Sequence, residues 1–201
     1  MDLNTLTPVE KIGDLYFKRD DLFKPFNNNV NGGKLRQCLA ILDKNKDKIK
    51  NGIITSTSVL SPQAVIVAAC AKYYDVNCLI YYGGTTIEKL LTHPYPKLAS
   101  ELDGQIEIVA KTGRQSVLQK RVNDYVKDHN MFIIEYGMDL KNNLDCFFNS
   151  TAYQCKNIPF NITDLWVSCG SAITICGILY GLSLYTNNVK HVNAVGIAPN
   201  R

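Results

Sequence analysis

The chain has 201 residues, enough for a buried core in one domain or in two small ones. Its 22 basic and 18 acidic residues give a net charge of +4 and are dispersed, so nucleic-acid binding is not signalled. We find no signal peptide and no apolar stretch suited to a membrane span. The seven cysteines lack metal-binding spacing, and we expect a cytoplasmic protein without a bound metal.

Short apolar, β-branched runs between turn residues predict buried strands, and apolar residues at helical spacing predict helices between them. In chain order the predicted elements are strand Leu15–Lys18, helix Lys34–Lys48, strand Gly52–Thr57, helix Gln63–Tyr74, strand Val76–Tyr82, strand Gln105–Ala110, helix Gln115–His129, strand Met131–Glu135, helix Leu140–Lys156, strand Asp164–Ser168, helix Ala172–Tyr185 and strand Val192–Ile197. The segment Thr92–Pro96 should break a further helical stretch into two. This alternation predicts an α/β protein with parallel sheets flanked by helices.

The order of these elements also predicts two lobes. We place boundaries near Lys48 and Gly137, so that residues 49–137 form a smaller inserted βα lobe. Residues 1–48 and 138–201 then form the larger lobe.

The segment Asn31-Gly32-Gly33-Lys34-Leu35-Arg36 places a lysine on the first turn of a helix. A helix N-terminus carries partial positive charge, which disfavours the ammonium form of Lys34 and favours the neutral amine that attacks a carbonyl carbon. Lys34 is therefore either an exposed first-turn residue or a reactive amine. It is not the lysine of a Walker phosphate loop, because Asn28 and Leu35 stand where that loop needs a glycine and a hydroxyl residue.

Small and hydroxyl residues open two further helices. Ser61-Pro62-Gln63 begins the alanine-rich helix, where Ser61 is suited to be an N-cap. Ser168 to Thr174 joins a strand to an apolar helix, as an ordinary capped turn or as a phosphate cradle. Tyr136 follows a strand, where an aromatic residue belongs either to the core or rim or to a substrate site.

Three motifs in this order resemble the front half of pyridoxal-phosphate enzymes of the tryptophan-synthase-β type, also called fold type II. They are Phe17-Lys-Arg-Asp-Asp-Leu22, Gly32-Gly33-Lys34-Leu35-Arg36 and Ser61-Pro62-Gln63. The chain is most similar to the aminocyclopropane-carboxylate deaminase and D-cysteine desulfhydrase family. That family has a Lys/Glu-Arg-Glu/Asp-Asp segment, a Gly-Gly-Asn-Lys corner and a Ser-Asn-His/Gln loop.

The resemblance implies a site and an activity. Lys34 would form the Schiff base with pyridoxal 5'-phosphate and move the substrate α-proton, and Tyr136 would be a second catalytic residue. Ser61 and Gln63 would hold the carboxylate of an amino-acid-like substrate. The cofactor phosphate would lie on the following residues: Gly170, Ser171, Ala172, Ile173 and Thr174. The implied function is that of a lyase or deaminase, and a homodimer is possible.

Two alternatives stay open at this stage. Enzymes of this type are usually longer, so we expect the larger lobe to be incomplete and the chain to be truncated. A degenerate homologue could bind the cofactor or a protein partner without turnover. An enzyme that modifies the amine of a nucleic-acid base is the other alternative, because Pro62 and other residues differ from those of amino-acid-handling relatives.

Overall fold

The computed structural model describes residues 2–138, 140–169 and 172–196. The chain divides into two compact units. The first unit comprises Met1–Ala40 and Asn143–Arg201, and the second unit comprises Ile41–Asn142. The lobe boundaries expected near residues 48 and 137 stay a prediction.

The first unit opens with an antiparallel hairpin of β1 (Val9–Ile12) and β2 (Leu15–Lys18). Gly13 has a φ of +60° in the two-residue turn, a conformation that glycine adopts without strain. The sequence predicted β2 as a largely buried strand, and this is wrong, because Leu15 is 64% exposed. β2 alternates exposed and half-buried residues, as a surface hairpin strand does. A 3₁₀ turn over Asp20–Leu22 and helix α1 (Gly33–Lys44) follow.

The rest of the first unit contains a parallel strand pair. Helix α6 (Leu140–Tyr153) begins at the end of the second unit, continues into a 3₁₀ turn and precedes β7 (Asp164–Cys169), helix α7 (Ile173–Leu184) and β8 (His191–Gly196). β7 and β8 pair in parallel, as predicted. A Cβ atom on Gly181 would lie 2.6 Å from the carbonyl oxygen of Ala152, so α7 packs against the end of α6 through this glycine.

The second unit is a four-stranded sheet with helices between the strands. In chain order its elements are β3 (Ile53–Ser56), α2 (Gln63–Tyr74), β4 (Cys78–Gly83), α3 (Ile87–Leu90), α4 (Pro94–Glu101), β5 (Gln105–Ala110), α5 (Gln115–His129) and β6 (Phe132–Ile134). The strands pair in the order β5-β4-β3-β6, and every pairing is parallel. The helical break expected at Thr92–Pro96 is confirmed by the separation of α3 from α4.

Helices cover both faces of this sheet. α2 is buried along nine consecutive residues from Gln63 to Ala71, as an all-apolar helix requires. On the other face, Val122 of α5 packs with Ile54, Leu79 and Tyr81. Cover on both faces leaves all four residues of β3 and the first five residues of β4 buried.

Candidate active site

The start of α1 presents Lys34. Gly32 has a φ of +95°, and its carbonyl oxygen accepts hydrogen bonds from the amides of Leu35 and Arg36 at 3.1 and 3.2 Å. This left-handed glycine turns the chain into the helix, and Lys34 follows on the first turn, as the sequence predicted. The Lys34 side chain is exposed and has no hydrogen bond or ion pair with the described residues. Its amine is therefore open to a ligand.

Asp20 and Arg36 pack behind this helix start. Arg36 is only 2% exposed, its guanidinium lies 4.2 Å from the centroid of the Phe23 ring, and its Nη1 atom lies 3.3 Å from Oδ1 of Asp20. A Cβ atom on Gly33 would lie 3.1 Å from Oδ2 of Asp20, closer than most Cβ contacts. The carboxylate therefore approaches the first turn of α1 because Gly33 has no side chain. This contact gives a physical reason for the Arg-Asp-Asp and Gly-Lys-Leu-Arg motifs to occur together.

Lys18 fixes the end of β2 in the same unit. Its Nζ atom donates to the carbonyl oxygen of Thr7 at 2.8 Å and to Oδ1 of Asn157 at 2.7 Å. The hydroxyl of Thr7 in turn donates to Asp20 at 2.9 Å. Burial lowers the pKa of Lys18 to about 8, although the charge of Asp20 opposes this shift. Lys18 thus connects the hairpin to the carboxylate behind Lys34.

The start of helix α7 is the position predicted to bind the cofactor phosphate. Its N-cap residue is Ala172, whose φ of 61° places a non-glycine residue in the left-handed region. An alanine side chain cannot accept a hydrogen bond, so no side chain of the described residues caps this helix start. Ile173 and Thr174 form its first turn, where exposed N–H groups and the helix dipole favour an anion. Gly170 and Ser171, which were also predicted to bind phosphate, lie outside the described residues.

The second unit contains a topological switch point between β3 and β6. From β3 the chain adds β4 and then β5 on one side, and it returns to place β6 on the other side of β3. In open α/β sheets, ligands bind in the crevice outside the carboxyl ends of the strands at such a switch point, which here are β3 and β6. Ser61 follows β3 and Tyr136 follows β6, so both predicted residues lie at this end of the sheet.

Gln63 joins the two sides of the switch point. Its Nε2 atom donates to Oγ1 of Thr55 and to the carbonyl oxygen of Glu135, each at 2.8 Å, and its Oε1 atom accepts from the amide of Gly137 at 2.8 Å. Gln63 is 3% exposed. The predicted contact between Gln63 and a substrate stays a prediction, and the observed bonds give Gln63 a positioning role for the turn that carries Tyr136.

The other predicted residues at the switch point are more accessible. Ser61 is half-buried, and its Oγ atom accepts a hydrogen bond from the amide of Gln63 at 3.3 Å. The N-cap residue of α2 is Pro62, so Ser61, the predicted N-cap, lies one residue before the cap position. Tyr136 is 42% exposed. The crevice therefore offers one hydroxyl at a helix start and one phenol on the adjacent turn.

The structure adds a residue to this site that the sequence reasoning missed. The hydroxyl of Thr57 is buried, and it has no hydrogen-bond partner among the described residues. Thr57 follows β3 directly, and strand alternation places it on the same face as Thr55, which Gln63 contacts. An unpaired buried hydroxyl costs free energy unless a water molecule or ligand bonds to it. The signal in the sequence was a hydroxyl residue directly after a buried strand.

Two solved structures have a fold similar to that of this chain. Serine racemase from Dictyostelium discoideum superposes with a TM-score of 0.69 at 15% sequence identity, over 94% of this chain and 59% of that chain. A pyridoxal 5'-phosphate-dependent aspartate racemase superposes with a TM-score of 0.60 at 13% identity, over 90% of this chain and 50% of that chain. The chain has the fold of these two enzymes. It spans between half and three fifths of their length.

The comparisons confirm the α/β fold class that was predicted from the sequence. No family model and no curated protein sequence matches the chain significantly, so the closer resemblance to the deaminase and desulfhydrase family stays a prediction. None of the helices in the described ranges has the length and apolar character to cross a membrane.

Proposed function

We propose that this chain binds pyridoxal 5'-phosphate through Lys34 and acts on the α-carbon of an amino-acid-like amine. The observation that carries the proposal is the position of Lys34. Its amine lies on the first turn of α1 and has no partner among the described residues, while Asp20 and Arg36 fix the helix start behind it. A lysine that stays unpaired on a firmly held helix start is suited to bond with a carbonyl group.

The start of α7 fits the phosphate of this cofactor. No side chain of the described residues caps its first-turn amides, and the left-handed conformation of Ala172 is a strain that proteins retain at binding sites. Thr174 adds a hydroxyl on the same turn. We assign the phosphate to Ala172, Ile173 and Thr174, together with Gly170 and Ser171 from the sequence motif.

The switch-point crevice fits the carboxylate of the substrate. Ser61 lies at the N-terminus of α2, and Thr57 provides the unpaired hydroxyl. A hydroxyl pair beside a helix N-terminus favours a small anion. We assign the substrate carboxylate to Ser61 and Thr57. Tyr136 would be an acid, base or stacking residue, and Gln63 would position the turn that carries Tyr136.

When bound, the cofactor supplies the electron sink that stabilises negative charge on the substrate α-carbon. The chain supplies the base, since the Lys34 amine is the group that would remove the α-proton. Elimination or deamination is the outcome that we propose, in line with the sequence motifs. Racemisation also begins with removal of this proton, so the assay has to follow both outcomes.

The test begins with cofactor binding by the purified chain. With added pyridoxal 5'-phosphate we expect an absorbance band near the visible edge, and borohydride should fix the cofactor covalently on the peptide that contains Lys34. Lys34→Ala should lose the band, and Lys24→Ala should keep it, because Lys24 is an exposed loop residue. An unchanged band in Lys34→Ala would show that Lys34 does not bind the cofactor.

Turnover separates the remaining alternatives. The loaded protein is incubated with a panel of L- and D-amino acids, and ammonia, keto acid and enantiomer ratio are measured. Release of ammonia or keto acid supports the lyase or deaminase, and a change in enantiomer ratio alone indicates a racemase. Cofactor binding without any turnover supports the degenerate homologue. Turnover that depends on added RNA or DNA supports the alternative of a base-modifying enzyme.

A further inference from the structure

An open cavity of about 820 Å³ lies in the second unit, at the carboxyl ends of β4 and β5. Its walls come from the loops that follow these two strands and from α3 and α5. The lining residues are Gly84, Thr85, Thr86, Lys89, Ile108, Val109, Ala110, Lys111 and Arg121. The cavity lies toward the β5 edge of the sheet, whereas the switch point lies toward the β6 edge, and none of the residues proposed above lines the cavity.

Glycines pack the two loops of this cavity backbone to backbone. A Cβ atom on Gly83 would overlap the carbonyl oxygen of Thr112, and one on Gly84 would lie 2.8 Å from the amide nitrogen of Gly113. The amide of Gly84 also donates to the carbonyl oxygen of Ala110 at 3.1 Å. The walls are therefore fixed by close main-chain contacts rather than by long side chains.

Three cationic side chains from separate elements converge on the cavity. Lys89 lies on α3, Lys111 follows β5, and Arg121 lies on α5. None of the three forms an ion pair with a described residue. In the same unit, by contrast, Lys72 pairs with Asp103 and Lys127 pairs with Asp124 at 2.8 and 2.9 Å. Like charges that share one concavity repel each other, and an anion between them would remove this repulsion.

Glu88, which precedes Lys89 in the sequence, does not neutralise Lys89 through an ion pair. Glu88 bonds to Thr86 and to its own backbone in the first turn of α3, and these bonds lower the pKa of Glu88. Its carboxylate is thus engaged with the helix start. None of the three cations forms an ion pair with a carboxylate in the described part of the chain. The nearest carboxylate to Arg121 along α5 is that of Asp124, which pairs with Lys127; the pKa of Asp124 is lowered first by the hydrogen bond from Lys127 and also by the charge of Arg121.

We infer that this cavity binds a phosphorylated small molecule that carries at least two negative charges. Lysine and arginine together suit phosphate oxygens, and the cavity volume lies in the range of small-molecule sites. The apolar floor of Ile108, Val109 and Ala110 would contact the uncharged part of the ligand. This inference does not depend on Lys34 or on any cofactor.

The test is calorimetric titration of the whole chain, without added cofactor, with pyrophosphate as the probe and citrate as a carboxylate comparison. The double variant Lys111→Gln/Arg121→Gln should bind pyrophosphate at least about tenfold more weakly than the wild type, which corresponds to about 1.4 kcal/mol. The control Lys97→Gln/Lys120→Gln removes the same charge from exposed positions outside the cavity and should leave the affinity unchanged. Circular dichroism and thermal unfolding check that each variant is folded, and Lys89→Gln replaces the first double variant if that one does not fold.

Three outcomes would overturn the inference. The first is a wild type that shows no pyrophosphate binding in the millimolar range. The second is an equal loss of affinity in the control, which would indicate a general surface-charge effect. The third is citrate binding as tight as pyrophosphate binding, which would exclude a preference for phosphate.

Discussion

Replacement of Gln63 by leucine tests the positioning of the switch point. The side chain makes three hydrogen bonds in a buried position, and leucine has similar volume but no polar atoms. Each such bond contributes about 1 kcal/mol, and the amide of Gly137 would lose the partner that it has in the structure. Apolar burial of the leucine offsets part of this loss. We expect Gln63→Leu to lower the free energy of unfolding by about 2–3 kcal/mol.

Urea and thermal unfolding followed by circular dichroism would measure this loss, and hydrogen exchange would locate it. The amide of Gly137 should exchange faster in Gln63→Leu than in the wild type. Gln115→Leu is the matched control, because Gln115 is exposed at the start of α5 and should change stability by less than about 0.5 kcal/mol. If Gln63→Leu is as stable as this control and its Gly137 exchange is unchanged, the positioning role is wrong.

Three further substitutions have effects that follow from local geometry. Gly181→Ala should cost about 1–3 kcal/mol in unfolding experiments, because the new Cβ atom would lie 2.6 Å from a backbone oxygen, whereas Gly196→Ala, with nothing within 4 Å, should be neutral. Ala172→Gly should raise the melting temperature, because glycine removes the strain of about 1 kcal/mol that the left-handed conformation of Ala172 costs. A lower melting temperature would show that this strain is absent. Because burial lowers the pKa of Lys18 from 10.5 to about 8, the unfolded chain binds more protons than the folded chain between these two pH values. The contribution of this residue to stability therefore rises with pH in that window. Urea unfolding at both ends of the window should show this rise in the wild type relative to Lys18→Met, and equal pH slopes would refute it.

The elements that the sequence predicted well are those buried on two faces. β3 and β4 are covered on both faces and α2 is buried along most of its length. The predicted bounds match those of α2 and differ by one or two residues for β3 and β4. β1 was missed because Val9-Glu-Lys-Ile12 has few apolar residues and becomes a strand by pairing with β2. Cross-strand pairing of this kind depends on a neighbouring segment and leaves a weak local pattern.

The site residues that could be predicted from the sequence are those at the starts of helices. Lys34, Ser61 and Thr174 each follow a local turn signal, and the structure places all three on or beside the first turn of a helix. The bonds of Gln63 were not predictable, because its partners Glu135 and Gly137 lie more than seventy residues later in the sequence. The contact of Asp20 with Gly33 likewise depends on tertiary structure.

The pairing of β3 with β6 has a consequence for the order in which the protein assembles. Thr55 bonds to the carbonyl oxygen of Ile134, a residue 79 positions later, and β6 has only three residues to form this contact. The loop that must close is long, and its entropy has to be lost before the short strand contributes stability. Folding of the second unit should therefore end with β6. During synthesis the crevice between β3 and β6 can form only after the ribosome has released the chain beyond Gly137.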